Sequence, residues 1–129
     1  SEVTDEAMEL LSNFDLNEDA LRRIDELPYG RQRLVEIVIA LGQRPSVLLL
    51  DEPAAGIPSS ESQHILDAAS ALSSDITVLI IEHDMEIVFS IADYITVLVS
   101  GAVLTEGEPE AIAADERVRA VYLGEVDRG

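Results

Sequence analysis

At 129 residues, 47% of them apolar, the chain is long enough to fill one hydrophobic core, as a single domain or as a piece of a larger one. A net charge of −18 makes bare nucleic acid and anionic lipid poor partners for the chain as a whole. The longest apolar runs, near residues 76–81 and 94–99, fall well short of the roughly 18 residues of a membrane span, and the acidic start lacks the basic flank of a signal peptide.

Without cysteine there is neither a disulfide framework nor a thiolate metal site, in keeping with a cytosolic protein. All 8 basic residues are arginine. A phosphate-binding G-x-x-x-x-G-K-[ST] loop needs its lysine, so this sequence holds none. That absence, with a Ser-Glu start, leads us to expect a piece of a longer protein.

Met8, Leu10, Leu11 and Phe14 predict a helix over residues 5–14, and Asn17 predicts the cap of a short second helix over 18–26. Pro28 and Gly30 interrupt. Leu34, Ile37, Val38 and Leu41 then mark one face of a helix that starts near Gly30 and stops before Pro45. Residues 47–50 are apolar without alternation, which predicts a strand buried on both faces of a parallel sheet. Pro53 and Gly56 make a loop, and Ser60 with Gln63 reads as a capping box for a helix through about Leu72.

A second buried strand is predicted at 77–81, ending in Glu82, His83 and Asp84. A short helix with Met85, Val88, Phe89 and Ala92 on one face follows, then a strand at 95–99 and a Ser100-Gly101 turn into a strand at 103–106, together a hairpin. Pro109 starts a small helix, and a last one runs from Arg117 with Val118, Val121 and Tyr122 inward. Strand, helix, strand, helix, strand is the pattern of an α/β fold with a parallel sheet, in which ligands gather at the carboxyl ends of the strands.

Asp51 and Glu52 stand at one such end and His83 at another. Adjacent carboxylates disfavour joint ionisation unless a cation or a pKa shift answers them. Alternation along a strand turns the two apart, so one can face a Mg²⁺ and the other a water to be oriented or deprotonated. His83 can hydrogen-bond a phosphate oxygen, or it is a structural residue at a strand end; His64, mid-helix, reads as structural. Gly30 offers bare N–H groups at a helix N-terminus, an anion site in principle. Arg22, Arg23, Arg31, Arg33 and Arg44 form a positive island that reads either as a helix face answering neighbouring acids or as an anion site.

The segments "LPYGRQRLVEI", "LLLDEPAAG", "IIEHDMEIVFSIADYITVL" and "VYLGE", in this order from about Leu27 to Glu125, resemble an ATP-binding cassette ATPase, more narrowly the ATPase subunits of branched-chain (hydrophobic) amino-acid importers. The resemblance implies the C-terminal part of a P-loop NTPase-like α/β domain: a parallel sheet core, flanking helices and a C-terminal β-hairpin. Residues 1–45 would be the remainder of the helical subdomain with the signature helix, and 46–129 the C-terminal part of the ATPase core. It places Tyr29, Gly30, Arg31 and Gln32 in the signature motif, gripping the γ-phosphate of an ATP held by the opposite subunit. Asp51 would hold Mg²⁺ through water, Glu52 act as general base and His83 contact the γ-phosphate, while Ala55, Gly56, Ile57 and Pro58 lie in the D-loop at the dimer axis.

Pro28 replaces a serine of the general pattern whose hydroxyl reaches the phosphate, Arg31 replaces a glutamine and can restore phosphate attraction, and Pro58 replaces an Asp or Asn. The Walker A loop and adenine-stacking aromatic have no counterpart. The resemblance thus implies an ATPase subunit that pairs with a second ATPase subunit and with transmembrane permease subunits at the inner membrane face, in a chain inactive alone and prone to self-association through an uncovered sheet. The rival readings are the ATPase of a lipid-related exporter and a non-catalytic, cassette-derived binding or regulatory domain.

Overall fold

The computed structural model describes residues 1–72, 75–122 and 124, which pack as two compact units, Ser1–Ile81 and Glu82–Gly129. In the first unit, α1 (Glu2–Asn13) begins at Ser1, whose hydroxyl accepts the Thr4 amide at 3.3 Å. Its Leu10 and Leu11 pack against the core with Phe14. The single helix predicted over 18–26 is instead two 3-10 turns, Asn17–Asp19 and Ile24–Glu26, and Asn17 caps neither. The physical reason is the lack of an apolar face: Leu21 and Ile24 are both exposed, so packing cannot support a longer helix there.

α2 (Tyr29–Gly42) buries Gly30, Leu34, Ile37, Val38 and Leu41, as its periodicity predicts, and ends ahead of Pro45. β1 (Val47–Asp51) and β2 (Thr77–Ile81) pair in parallel, Val47 opposite Thr77 through Asp51 opposite Ile81, joined through α3 (Ser59–Ser70). The predicted capping box does not form. α3 opens two residues earlier, at Ser59 behind Pro58 as N-cap, with no side-chain cap, and the Gln63 side-chain amide donates instead to Asp67.

Leu16, Leu34, Ile37, Val38, Leu41, Leu48 and Ile65 make the core of this unit. β1 is not buried on both faces as predicted. Leu48 faces the core, but Val47 (54% exposed) and Leu49 (68%) stand on the opposite face, joined there by Leu79 (56%) and Ile81 (57%). An apolar run records a strand suited to two covered faces; here only one face meets the core.

In the second unit, α4 (Met85–Ile91) is capped by the Asp84 carboxylate, which accepts the Glu86 amide at 3.0 Å. β3 (Ile95–Val99) and β4 (Ala102–Gly107) form the predicted hairpin, closed by Ser100 and Gly101 with φ of 50° and 80°. Positive φ at both central positions matches the twist of paired strands. Among the described residues the parallel sheet has β1 and β2, and β3 finds its partner locally, in an antiparallel sheet with β4.

α5 (Pro109–Ala114) starts on its proline, and α6 (Glu116–Val121) is capped by Asp115. Met85, Ile95, Val97, Ile112 and Val118 form this unit's core. Val118 points inward as predicted; Val121 is exposed because the helix ends with it, and the Tyr122 hydroxyl leaves the helix to donate to the Leu98 carbonyl. Leu123 and Glu125 of the "VYLGE" segment lie outside the described residues.

Candidate functional site

The chain reverses sharply where β1 ends. Glu52 has φ of 45°, a left-handed conformation that costs a non-glycine residue on the order of 1–2 kcal/mol. Its amide donates to the Ile81 carbonyl at 2.8 Å, extending the parallel ladder one residue past Asp51. Its carbonyl accepts the Ala55 amide at 3.0 Å, which closes the turn, and lies 3.5 Å from Arg33 Nη2. Asp51 is exposed and Glu52 half-buried. The two carboxylates are thus presented differently, as strand alternation predicts, with the left-handed corner adding to their divergence.

The first turn of α2 packs on the loop that follows this corner and on the start of α3. A Cβ on Gly30 would stand 3.0 Å from Glu61 Oε2 and 3.6 Å from Ile57 Cγ2, and one on Gly56, with φ of 73°, would stand 3.8 Å from Tyr29 Cε1. The structure therefore brings Tyr29 and Gly30 together with Gly56 and Ile57, and the tip of the Glu61 side chain occupies the space beside Gly30. Ala55 and Pro58 are exposed, and the Pro58 carbonyl accepts the Glu61 and Ser62 amides, each at 2.9 Å. Gln32 Nε2 donates to the Leu27 carbonyl at 2.9 Å, bracing the helix entry.

Arg31 is held away from a free role. Its guanidinium lies 2.7 Å from Asp19 and also donates to the Asp15 carbonyl. The other arginines of the island are likewise paired, Arg22 with Asp19 (3.6 Å), Arg23 with Asp25 (2.8 Å), Arg33 with Glu36 (3.0 Å) and Arg44 with Glu6 (2.7 Å). The Arg23 hydrogen bond holds the Asp25 carboxyl below its usual range, and Glu6 raises Arg44. Of the two readings of the island, the structure favours a face that answers neighbouring acids.

On sequence Arg33 is marked only as one of the five arginines of the island, with no role at the β1 corner. It helps line a cleft of about 240 Å³ with Glu36, Ile37, Leu48, Asp51 and Pro53. Its Nε–H is buried without a hydrogen-bond acceptor among the described residues, a state that costs on the order of 1–3 kcal/mol. No sequence signal marks its contact at the corner, which is a backbone carbonyl 19 residues away.

His83 is exposed and belongs to the second unit, directly before the α4 cap Asp84. Among the described residues no three His, Asp or Glu side chains gather to hold a metal ion, and no helix is long and apolar enough to cross a membrane. The single exposed carboxylate of Asp51 fits a Mg²⁺ that keeps waters and phosphate oxygens as its other ligands, and does not fit an all-protein metal cage.

Comparison with known proteins agrees with this geometry. A family model described as ABC transporter matches residues 1–55, and one described as Branched-chain amino acid ATP-binding cassette transporter matches residues 102–128. The chain is 42% identical over 126 residues to the high-affinity branched-chain amino acid transport ATP-binding protein BraF of Pseudomonas aeruginosa, covering 96% of this chain and 49% of BraF. It is 39% identical over 127 residues to LivG of Escherichia coli strain K12, a protein of the same description, covering 97% and 50%. A crystal structure of an ATP-binding cassette of an ABC transporter in its ADP conformation superposes with a TM-score of 0.84 at 32% identity, covering 97% of this chain and 51% of that one. The chain thus spans about half the length of the curated relatives it matches.

Proposed function

From a chain that has the sequence and the fold of an ATP-binding cassette, over about half the length of one, we propose the C-terminal part of an ATPase subunit that powers uptake of branched-chain or other hydrophobic amino acids. On this reading residues 1–45 are the remainder of a helical subdomain and 46–129 the C-terminal part of the ATPase core. The observation that carries the reading is the corner at the end of β1. There Asp51 and a left-handed Glu52 sit at the carboxyl end of a parallel strand, with Arg33 of α2 3.5 Å from the Glu52 carbonyl.

ATP with Mg²⁺ supplies the phosphoryl group and the charge that answers the paired carboxylates. Asp51 would hold that cation through water, and Glu52 would accept the proton of an attacking water. His83 hydrogen-bonds a γ-phosphate oxygen. Residues 29–32 present the N–H groups of a helix N-terminus to the nucleotide of a second ATPase subunit, and residues 55–58 lie along the dimer contact. Transmembrane permease subunits would hold the assembly at the inner face of the membrane. The exposed face of Val47, Leu49, Leu79 and Ile81 is where the chain alone would self-associate.

The test is Mg-ATP hydrolysis by the polypeptide in which the cell carries this sequence, with and without Glu52→Gln. Loss of a general base lowers turnover about 10²–10⁴-fold, and the expected result is that loss with ATP binding retained. No turnover in the unaltered polypeptide, with partner binding indifferent to Glu52→Gln, supports the non-catalytic domain instead. The 129-residue chain by itself is expected neither to bind Mg-ATP tightly nor to hydrolyse it, and saturable micromolar binding by it overturns that expectation.

A further inference from the structure

We infer that Arg33 is a positioning residue for the Asp51–Glu52 corner. Its functional consequence rests on the ATPase reading above, while its geometry rests on this chain's own hydrogen bonds. Arg33 lies one turn into α2, and its guanidinium reaches two ways: Nη1 to the Glu36 carboxylate at 3.0 Å, Nη2 to the Glu52 carbonyl at 3.5 Å. The first contact is local to the helix. The second ties that helix to the end of β1.

The peptide groups on both sides of the Glu52 Cα are thereby held. On one side its amide is bound to Ile81 of β2 at 2.8 Å; on the other its carbonyl receives both the Ala55 amide at 3.0 Å and Arg33. A left-handed residue persists where its surroundings over-determine it, and these contacts define the direction in which the two carboxylates leave the backbone. Arg33 also shares the cleft wall with Asp51.

The side chain leaves a donor unsatisfied to stand there. Its Nε–H is buried without an acceptor among the described residues, although the side chain as a whole is 25% exposed. A solubilising arginine on a helix face would keep that donor in water. The planar fork explains the residue type, since Arg reaches the carboxylate and the carbonyl from two nitrogens held at a fixed spacing, whereas Lys has one nitrogen on a flexible stem to serve both.

Because α2 also carries Tyr29 and Gly30, Arg33 couples the helix start to the carboxylate corner through one rigid element. Movement of the α2 N-terminus then reaches Glu52 by way of the Arg33 fork.

The test compares Arg33→Met and Arg33→Lys with the unaltered chain by amide hydrogen exchange, residue by residue. Exchange at Glu52 and Ala55 is expected to rise tenfold or more in Arg33→Met, with Val38 and Ile65 of the core unchanged, and Lys is expected not to restore it. Unchanged exchange at Glu52 and Ala55 overturns the assignment. If Arg33→Met unfolds the chain, Arg33→Lys alone decides on the same two amides.

A second arm uses the longer polypeptide: Arg33→Met is expected to lower kcat for Mg-ATP tenfold or more with KM unchanged, and to add nothing to Glu52→Gln. A change in KM alone, or full additivity with Glu52→Gln, overturns the functional half. Absence of any hydrolysis in the unaltered polypeptide fails the ATPase reading, while the exchange arm still decides the role of Arg33.

Discussion

The amide of Glu52 donates to the carbonyl of Ile81 at 2.8 Å, one residue beyond the Asp51–Ile81 register pair that ends the parallel ladder. The last ladder bond is therefore made by a residue whose own φ, 45°, has left the strand. Satisfying that amide on β2 removes one cost of the turn, and the remaining cost is steric.

That relationship sets opposite expectations for two substitutions. Glu52→Gly relieves the left-handed strain but adds unfolded-chain entropy, so its unfolding free energy should stay within about 1 kcal/mol of the original. Glu52→Val puts a β-branched residue at positive φ and should lose about 1–2 kcal/mol. Urea midpoints compare them; a Val variant as stable as the Gly variant refutes the left-handed corner.

Leu48 and Leu49 are adjacent in sequence and opposite in environment, 5% and 68% exposed. Leu48→Ala opens a cavity against α2 and α3 and should cost about 2–5 kcal/mol. Leu49→Ala should cost less than about 0.5 kcal/mol, since it removes surface that water already reaches. The pair of midpoints measures which face of β1 is covered. Sedimentation adds the second half: Leu49→Lys combined with Leu79→Glu should shift the chain toward monomer without lowering its melting temperature, and unchanged association places the contact elsewhere.

These two leucines also show where sequence reading stops. Residues 77–81 and 95–99 were legible as strands to the residue, because apolar runs bounded by turn signals determine local conformation. Periodicity likewise placed the buried face of α2. The pattern of residues 47–50 recorded the covering a strand is suited to, which differs from the covering it has here. The capping box failed because Pro58, one residue upstream of the helix, starts α3 early.

The Asp51 and Glu52 pair was visible as chemistry. Arg33 was visible only as part of the arginine island, and its contact with the corner was not, since a side chain reaching a backbone carbonyl 19 residues away leaves no sequence pattern.

Gly30→Ala separates packing from phosphate contact. The nearest atom to the new Cβ, at 3.0 Å, is the tip of the flexible Glu61 side chain, and the next two, at 3.5 and 3.6 Å, are ordinary contacts. Glu61 can swing aside, and alanine favours the helix by up to about 1 kcal/mol. Stability should therefore hold or rise slightly by thermal melting. In the longer polypeptide, hydrolysis falling despite that stability would assign Gly30 to nucleotide approach, whereas a stability loss above about 2 kcal/mol would show a rigid α2–α3 contact.

Asp115 gives a pH dependence with a definite sign. Its carboxylate accepts the Arg117 guanidinium at 2.8 Å and the Arg117 and Val118 amides at 2.8 and 3.4 Å, which caps α6. The Arg117 side-chain bond first, then those two amides, hold its pKa down at about 2. The unfolded chain releases the same proton near about 3.9. A carboxyl depressed on folding stabilises the folded state fully above the unfolded value and loses that contribution as pH falls through the folded one. The stability due to Asp115 should thus be constant at neutral pH and decline progressively from about pH 5 to about pH 1. Asp115→Asn keeps a capping oxygen but not the charge, so it isolates this contribution from the other carboxylates that titrate in the same window. The difference in urea midpoint between the original chain and Asp115→Asn should be present at about pH 6, shrink through about pH 3 and be nearly gone by about pH 1, and a difference that stays at its initial size down to about pH 1 would mean the cap does not depend on the charged carboxylate.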